Sequence, residues 1–136
     1  MTVQPIQKRP TRILVVDDSN FARHAVVLCL RTAGFTDAEF VPAKDGAEAL
    51  LHLQQSTFDL VITDLNMPQL DGKGLIERVR AIPELYDLPI IVVSSLLAPA
   101  VEHALRDAGA TACVAKPVSS ARALQVFEWF HTELTK

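Results

Sequence analysis

The chain has 136 residues, enough for one domain that buries a core without disulfide or metal staples. Its composition, 49% hydrophobic and 21% charged, is that of a soluble globular protein. A net charge of −3 leaves no basic footprint for direct nucleic-acid binding, and no apolar stretch reaches membrane-spanning length, so neither nucleic acid nor membrane is an expected partner.

Residues 1–11 read as a flexible, mildly basic lead-in without the hydrophobic segment of a signal peptide, and residues 12–136 as one domain. The first strand is ILVV (13–16), which ends in Asp17 and Asp18. Ser19 then caps a helix through FARHAVVLCLRTA, stopped by Gly34. A weaker strand, AEFV (38–41), stops at Pro42, which suits the rim of a sheet. DGAEALLHLQQ follows as a helix with Ala47, Leu50, Leu51 and Gln54 at helical spacing. The third strand, DLVIT (59–63), delivers Asp64, and GLIERVRAI sets Leu75, Ile76 and Val79 on one helical face. PIIVV (89–93) leads to Ser94 and Ser95, and the next helix runs from near Pro99 to a stop at Gly109. ACVA (112–115) ends in Lys116–Pro117, and capping serines open a last helix with a stripe at Leu124, Phe127, Phe130 or His131, and Leu134.

Strands of continuous apolar character are buried on both faces, as in a parallel sheet. Five β–α units predict an α/β, doubly wound, flavodoxin-like sandwich with a five-stranded parallel sheet in the order 2-1-3-4-5. Ligands of such sheets bind beyond the carboxyl ends of the strands. There the four central strands aim three acids (Asp17, Asp18 and Asp64), a hydroxyl (Ser94 or Ser95) and an amine (Lys116). Three carboxylates at close range repel, and a hard divalent cation such as Mg²⁺ relieves the repulsion. A lysine opposite supplies a point charge for a phosphoryl oxygen. No glycine-rich phosphate loop ending in Gly-Lys-Ser or Gly-Lys-Thr is present, so the site reads as one for a single phosphoryl group with Mg²⁺, and one acid could itself be the acceptor.

VVDDS, TDLNMPQLDG, VVSS and AKPV, in this order, resemble the four signature segments of bacterial response-regulator receiver domains, from about Arg12 onward. The resemblance implies that Asp64 is the phospho-acceptor. Asp17 and Asp18, together with Asp64 and the main-chain carbonyl of Asn66, would hold Mg²⁺. Ser94, with Ser95 as the neighbouring alternative, would be the switch hydroxyl, and Lys116 the phosphoryl-binding lysine, oriented by a cis Lys116–Pro117 peptide. Met67–Pro68 and Asp71–Gly72 would shape the loop after the acceptor.

The chain departs from the family pattern at Cys113, where many receivers carry Tyr or Phe. Cysteine has too little bulk for rotamer gating, which leaves the SSLLAP segment (94–99) to carry the change by its own backbone movement.

The implied function is a cytoplasmic, stand-alone switch rather than an enzyme with a separate substrate. A histidine kinase or phosphotransfer protein would phosphorylate it, and the fourth helix, fifth strand and fifth helix would present the readout face to a downstream protein in a phosphorelay or in chemotaxis. Dimerisation on phosphorylation is left open. Two other readings remain: a Mg²⁺-dependent aspartyl phosphohydrolase, against which Asn66 stands two residues past the nucleophile, and a pseudo-receiver that has lost the chemistry. His24, His52, His103 and His131 are scattered on helices without ligand spacing, and Cys29 and Cys113 read as reduced core thiols. Of the clustered aromatics of the last helix, not all can face the core, and Trp129 is the one expected either to face out toward a partner or to sit at the boundary.

Overall fold

Branched and aliphatic residues in short uninterrupted runs can satisfy both their side chains and their backbone only inside a sheet covered on two sides, and this is where the chain puts them. The computed structural model describes residues 11–134; the lead-in at residues 1–10 and the side chains of Glu133 and Leu134 lie outside what is described. In chain order the elements are β1 (Arg12–Val16), α1 (Asn20–Ala33), β2 (Glu39–Ala43), α2 (Gly46–Gln55), β3 (Leu60–Asp64), α3 (Gly72–Arg80), a 3₁₀ turn (Pro83–Leu85), β4 (Ile90–Ser94), α4 (Pro99–Ala108), β5 (Ala112–Ala115) and α5 (Ser120–Leu134). The sheet is parallel with strand order β2-β1-β3-β4-β5, as expected.

Strand periodicity divides the core into two layers. Leu14, Val16, Val61, Ile90 and Val92 face the side covered by α2, α3 and α4, where they meet Ala49, Leu53, Leu75, Ile76, Val79 and Leu105. Ile13, Val15, Leu60, Ile62, Ile91 and Val93 face α1 and α5 and meet Val26, Leu30, Ala123 and Phe130. Leu75, Ile76 and Val79 are fully buried, so the α3 face read from the sequence is the face that packs.

Helix ends follow the caps in the sequence. The Ser19 side chain accepts from the Ala22 N–H, and Gly34 takes φ 142° after α1, where a side chain would also collide with the Phe127 ring. Asp45 caps α2 by accepting the Glu48 N–H at 2.8 Å, and the Glu48 side chain reaches back one residue past the cap to accept the Lys44 N–H at 2.9 Å. Pro99 opens α4 and Gly109 closes it at φ 118°.

Three local expectations need correction, and the two placements open to Trp129 reduce to one. β2 does not stop at Pro42 but runs through it to Ala43. Glu39 donates to Thr11 O and Ala43 O accepts from Asp17 N, so alternate residues bond β1 and the missing N–H of Pro42 points away on the open edge. On α2 the packed residues are Ala49, Leu53 and, in part, Leu50, whereas Ala47, Leu51 and Gln54 are exposed. The run ALLHL is apolar on almost every side, and its rotation is set by a tertiary tether, the Gly46 N–H to Leu70 O, rather than by the run itself. On α5, Ala123 and Phe130 are buried and Phe127 is half-buried, but Leu124 is 44% exposed. Trp129 takes the boundary position of its two expected placements: it is half-buried and packs against the α1–α5 layer.

Candidate functional site

Parallel pairing puts the carboxyl ends of all the strands at one edge of the sheet. Val16 pairs with Thr63, Asp64 with Val93, and Ser94 with Ala115, so Asp17, Asp64, Ser94 and Lys116 emerge side by side. One carboxylate oxygen from each of Asp17, Asp18 and Asp64 lies within 4.8 Å of the others. Asp17 is 4% exposed, Asp64 is half-buried and Asp18 faces solvent. Lys116 bridges the two deeper acids, with its Nζ 2.9 Å from Asp17 Oδ2 and 3.4 Å from Asp64 Oδ1.

The remaining valences of these groups are also used. Asp17 Oδ1 accepts the Ser19 N–H at 2.9 Å, which turns the carboxylate toward Lys116 and ties it to the start of α1. Arg23 Nη1 donates to the Asp17 carbonyl and Nη2 to the Asn20 side chain, bracing the same turn. Asp64 Oδ1 accepts the Leu65 N–H at 2.8 Å. Beyond it, the Gly72 N–H donates to Leu65 O at 2.8 Å, the Gly46 N–H donates to Leu70 O at 3.0 Å, and Asp71 caps α3 through the Gly74 N–H. A side chain at Gly72 would collide with the Asp64 carbonyl, so only glycine lets α3 start this close to the acceptor strand.

Electrostatics follow from this packing. The Asp64 carboxyl is raised above its ordinary range, first by burial and then by the Asp17 charge, against the Leu65 N–H and Lys116, which lower it. Burial works to lower Lys116, but its bond to Asp17 and the charges of Asp17 and Asp64 outweigh that, and its affinity for the proton rises. Lys116 therefore stays cationic, and its one ammonium is shared by Asp17 and Asp64, in a cluster of three acids. The donor set is all hard oxygen with an excess of negative charge, which fits a small divalent cation such as Mg²⁺.

The structure brings together Asp17, Asp18, Asp64 and Lys116. Ser94 lies at the end of the adjacent strand, 1% exposed, its Oγ accepting the Leu96 N–H at 3.1 Å; Ser95 faces solvent. Asn66 is exposed in the loop between β3 and α3. The Lys116–Pro117 peptide is cis, and the Lys116 N–H donates to Ser94 O at 2.9 Å. Cys113 is not in the cluster: it packs in part against the α2–α4 layer, and its thiol is pushed up by burial and then by Glu102. Three contributors escaped the sequence reading: Thr63, fully buried with its Oγ1 donating to Asp64 O at 2.8 Å; Arg23; and Gln69, whose φ of 68° bends the loop after the acceptor. Only Thr63 left a trace, as a hydroxyl in an otherwise aliphatic buried strand.

Comparison with known proteins agrees with this geometry. Residues 13–128 match the response regulator receiver domain family. The chemotaxis protein CheY-3 of Vibrio cholerae is 33% identical over 88% of this chain and 90% of its own length. The gliding motility regulatory protein of Myxococcus xanthus is 39% identical over 85% of this chain, which spans only 14% of that protein. Among solved structures, the chemotaxis response regulator CheY4 of Vibrio cholerae superposes with a TM-score of 0.80 at 30% identity, covering 90% of this chain and 99% of its own. A response regulator receiver protein from Pseudomonas putida superposes at 0.77 with 32% identity, covering 89% and 98%. With the fold, the acidic edge and these matches in agreement, the chain belongs to the response-regulator receiver-domain family, the CheY-like phosphorylation-dependent signalling switches of two-component systems.

Proposed function

We propose that Asp64 accepts a phosphoryl group from a histidine kinase or phosphotransfer protein, and that the phosphorylated domain signals in the cytoplasm by changing its protein–protein contacts. The observation that carries this is the convergence of Asp17, Asp18 and Asp64 within 4.8 Å, with the Lys116 ammonium at 2.9 and 3.4 Å from two of them. Asp17, Asp18, Asp64 and the Asn66 carbonyl are the groups that would hold Mg²⁺, which when bound offsets charge on the transferring phosphoryl oxygens.

The residues of the chain divide the rest of the work. An oxygen of Asp64 attacks the phosphorus of a phosphohistidine; the O–P bond forms as the P–N bond breaks, and the electron pair leaves on the imidazole nitrogen. Lys116 is already held at the attacking carboxylate and stabilises the phosphoryl oxygens without reorganising. The Ser94 hydroxyl accepts from Leu96 and so keeps its own proton to donate to a phosphoryl oxygen. Drawing Ser94 toward Asp64 pulls on Leu96 and, through Ser94 O and the Lys116 N–H, on β5, which biases a pre-existing equilibrium at the α4–β5–α5 face. Phe21 and Leu96, 84% and 63% exposed, follow the acidic turn and the switch hydroxyl, and they offer apolar contacts to a protein donor. The chemotaxis proteins among the relatives make a chemotaxis role the first output to test.

Incubation with acetyl phosphate and Mg²⁺, followed by intact-mass spectrometry, should show one added phosphate on the wild type and none on Asp64→Asn. A wild type that stays unmodified even with its kinase, or an Asp64→Asn variant modified equally well, would sink the proposal.

A further inference from the structure

Thr63 is a polar side chain with no exposed surface, one of only four buried polar or charged residues among those described. Its strand neighbours Val61 and Ile62 are apolar, so packing alone would favour valine at this position. Its hydroxyl donates to the Asp64 carbonyl at 2.8 Å, at the carbonyl that also faces the close approach of Gly72. That carbonyl belongs to the peptide unit whose other end is the Leu65 N–H, and the Leu65 N–H donates to Asp64 Oδ1 at 2.8 Å. A peptide unit is planar, so fixing its oxygen fixes the direction of its N–H.

Resting on the reading of Asp64 as acceptor, we infer that Thr63 is a positioning residue for phosphoryl transfer: it locks the Asp64–Leu65 peptide plane so that the Leu65 N–H holds the Asp64 carboxylate in its attacking orientation. The two carboxylate oxygens are thereby made unequal. Oδ1 is engaged by the Leu65 N–H and faces Lys116, while Oδ2 receives no hydrogen bond among the described residues. The carboxylate cannot rotate without giving up the Leu65 bond, and the Leu65 N–H cannot follow it without giving up Thr63. Effective positioning of a nucleophile is worth orders of magnitude in rate, and loosening it by a fraction of an ångström costs about tenfold. The contact of Lys116 with Asp17 does not run through this peptide, so charge neutralisation by Lys116 is separable from it.

The test compares wild type, Thr63→Val, Thr63→Ser and Thr63→Ala, phosphorylated by acetyl phosphate and Mg²⁺. In this reaction an Asp64 oxygen displaces acetate from phosphorus and no partner protein is needed. Expected at saturating Mg²⁺ are a phosphorylation rate reduced about tenfold in Thr63→Val and Thr63→Ala and a near wild-type rate in Thr63→Ser. The Leu65 amide proton should lose its downfield shift and its exchange protection in Thr63→Val and Thr63→Ala alone, a signature that loss of core packing does not produce.

Thr63→Val at the wild-type rate overturns the inference. So does Thr63→Ser as slow as Thr63→Ala, which would trace the effect to volume rather than to the hydroxyl. Where Thr63→Val does not fold, the serine–alanine pair decides alone. A wild type that accepts no phosphate overturns the acceptor reading itself, an outcome distinct from either of these.

Discussion

Replacing Asp64 with asparagine should stabilise the metal-free protein. The Asp64 oxygen lies within 4.8 Å of its counterparts on Asp17 and Asp18 and 3.4 Å from the Lys116 ammonium. At an effective dielectric near 20, the repulsion from Asp17 is at least about 3.5 kcal/mol and the attraction to Lys116 about 5 kcal/mol. Solvent-facing Asp18 adds about 1 kcal/mol of repulsion. The pairwise contributions nearly cancel, which leaves the desolvation cost of a carboxylate that is only 13% exposed.

That balance agrees with the upward displacement of the Asp64 carboxyl, whose first cause is burial. A group whose folded-state proton affinity is raised adds stability when protonated and loses it as the pH rises through the folded value, so ionised Asp64 is a net cost at neutral pH. The amide oxygen of the substituted side chain keeps an acceptor for the Leu65 N–H, and Lys116 keeps its 2.9 Å bond to Asp17. The expected gain is about 1–2 kcal/mol, or about 3–8 °C in Tm for a chain of this size. Thermal unfolding of both proteins in EDTA reads it directly. The gap should close as the pH falls through the raised Asp64 value, and also when Mg²⁺ is added, because the cation stabilises the wild type more. An Asp64→Asn variant no more stable than wild type in EDTA at neutral pH refutes the reasoning.

Lys116→Met leaves the 4%-exposed Asp17 without its cation and should cost about 2 kcal/mol in EDTA by denaturant unfolding, with much of the loss recovered in Mg²⁺. In the wild type the Lys116 contribution is complete below the ordinary lysine value of 10.5 and disappears only as the pH rises through the still higher folded value, so an alkaline unfolding series should lose a component that Lys116→Met lacks. Ser94→Ala removes the acceptor for the Leu96 N–H and should cost about 1 kcal/mol. It should still take phosphate from acetyl phosphate while losing the amide shifts that a beryllofluoride phosphate mimic induces at residues 95–98. Leu75→Ala opens a hole in a fully buried face of α3 and should cost about 2–5 kcal/mol by denaturant unfolding, with Mg²⁺ affinity intact in the folded fraction.

What could be read from the sequence divides by the kind of physics involved. Asp17, Asp64, Ser94 and Lys116 were legible because parallel strands turn a linear fact, the residue after each apolar run, into a spatial one. The α3 face was legible because Glu77, Arg78 and Arg80 interrupt Leu75, Ile76 and Val79 and leave one packing solution. The α2 face was not, because Leu50, Leu51 and Leu53 surround that helix and its rotation depends on a tertiary tether, the Gly46 N–H to Leu70 O. Trp129 stayed between two placements for a related reason: three aromatics in four residues cannot all face the core, but sequence cannot say how far α1 leans across them. The Thr63 bond was invisible because it depends on side-chain geometry at the strand end.

The same distinction bears on Cys113. Sequence shows only that the aromatic is missing, and the structure shows what stands in its place. Cys113 pairs with Val92 and packs, half-buried, at the margin of the α2–α4 layer, outside the acidic cluster. Ser94 reaches its surroundings by two other bonds, Oγ to the Leu96 N–H and O to the Lys116 N–H. Leu97 and Val101 are packed against the core on the far side of that segment. Residues 95–98 are thus anchored at both ends, by a hydroxyl that would leave for a phosphoryl group and by apolar contacts that would not. On the proposed reading, moving the hydroxyl pivots this segment about Leu97, and the switch needs no aromatic ring to fill a space that cysteine leaves small.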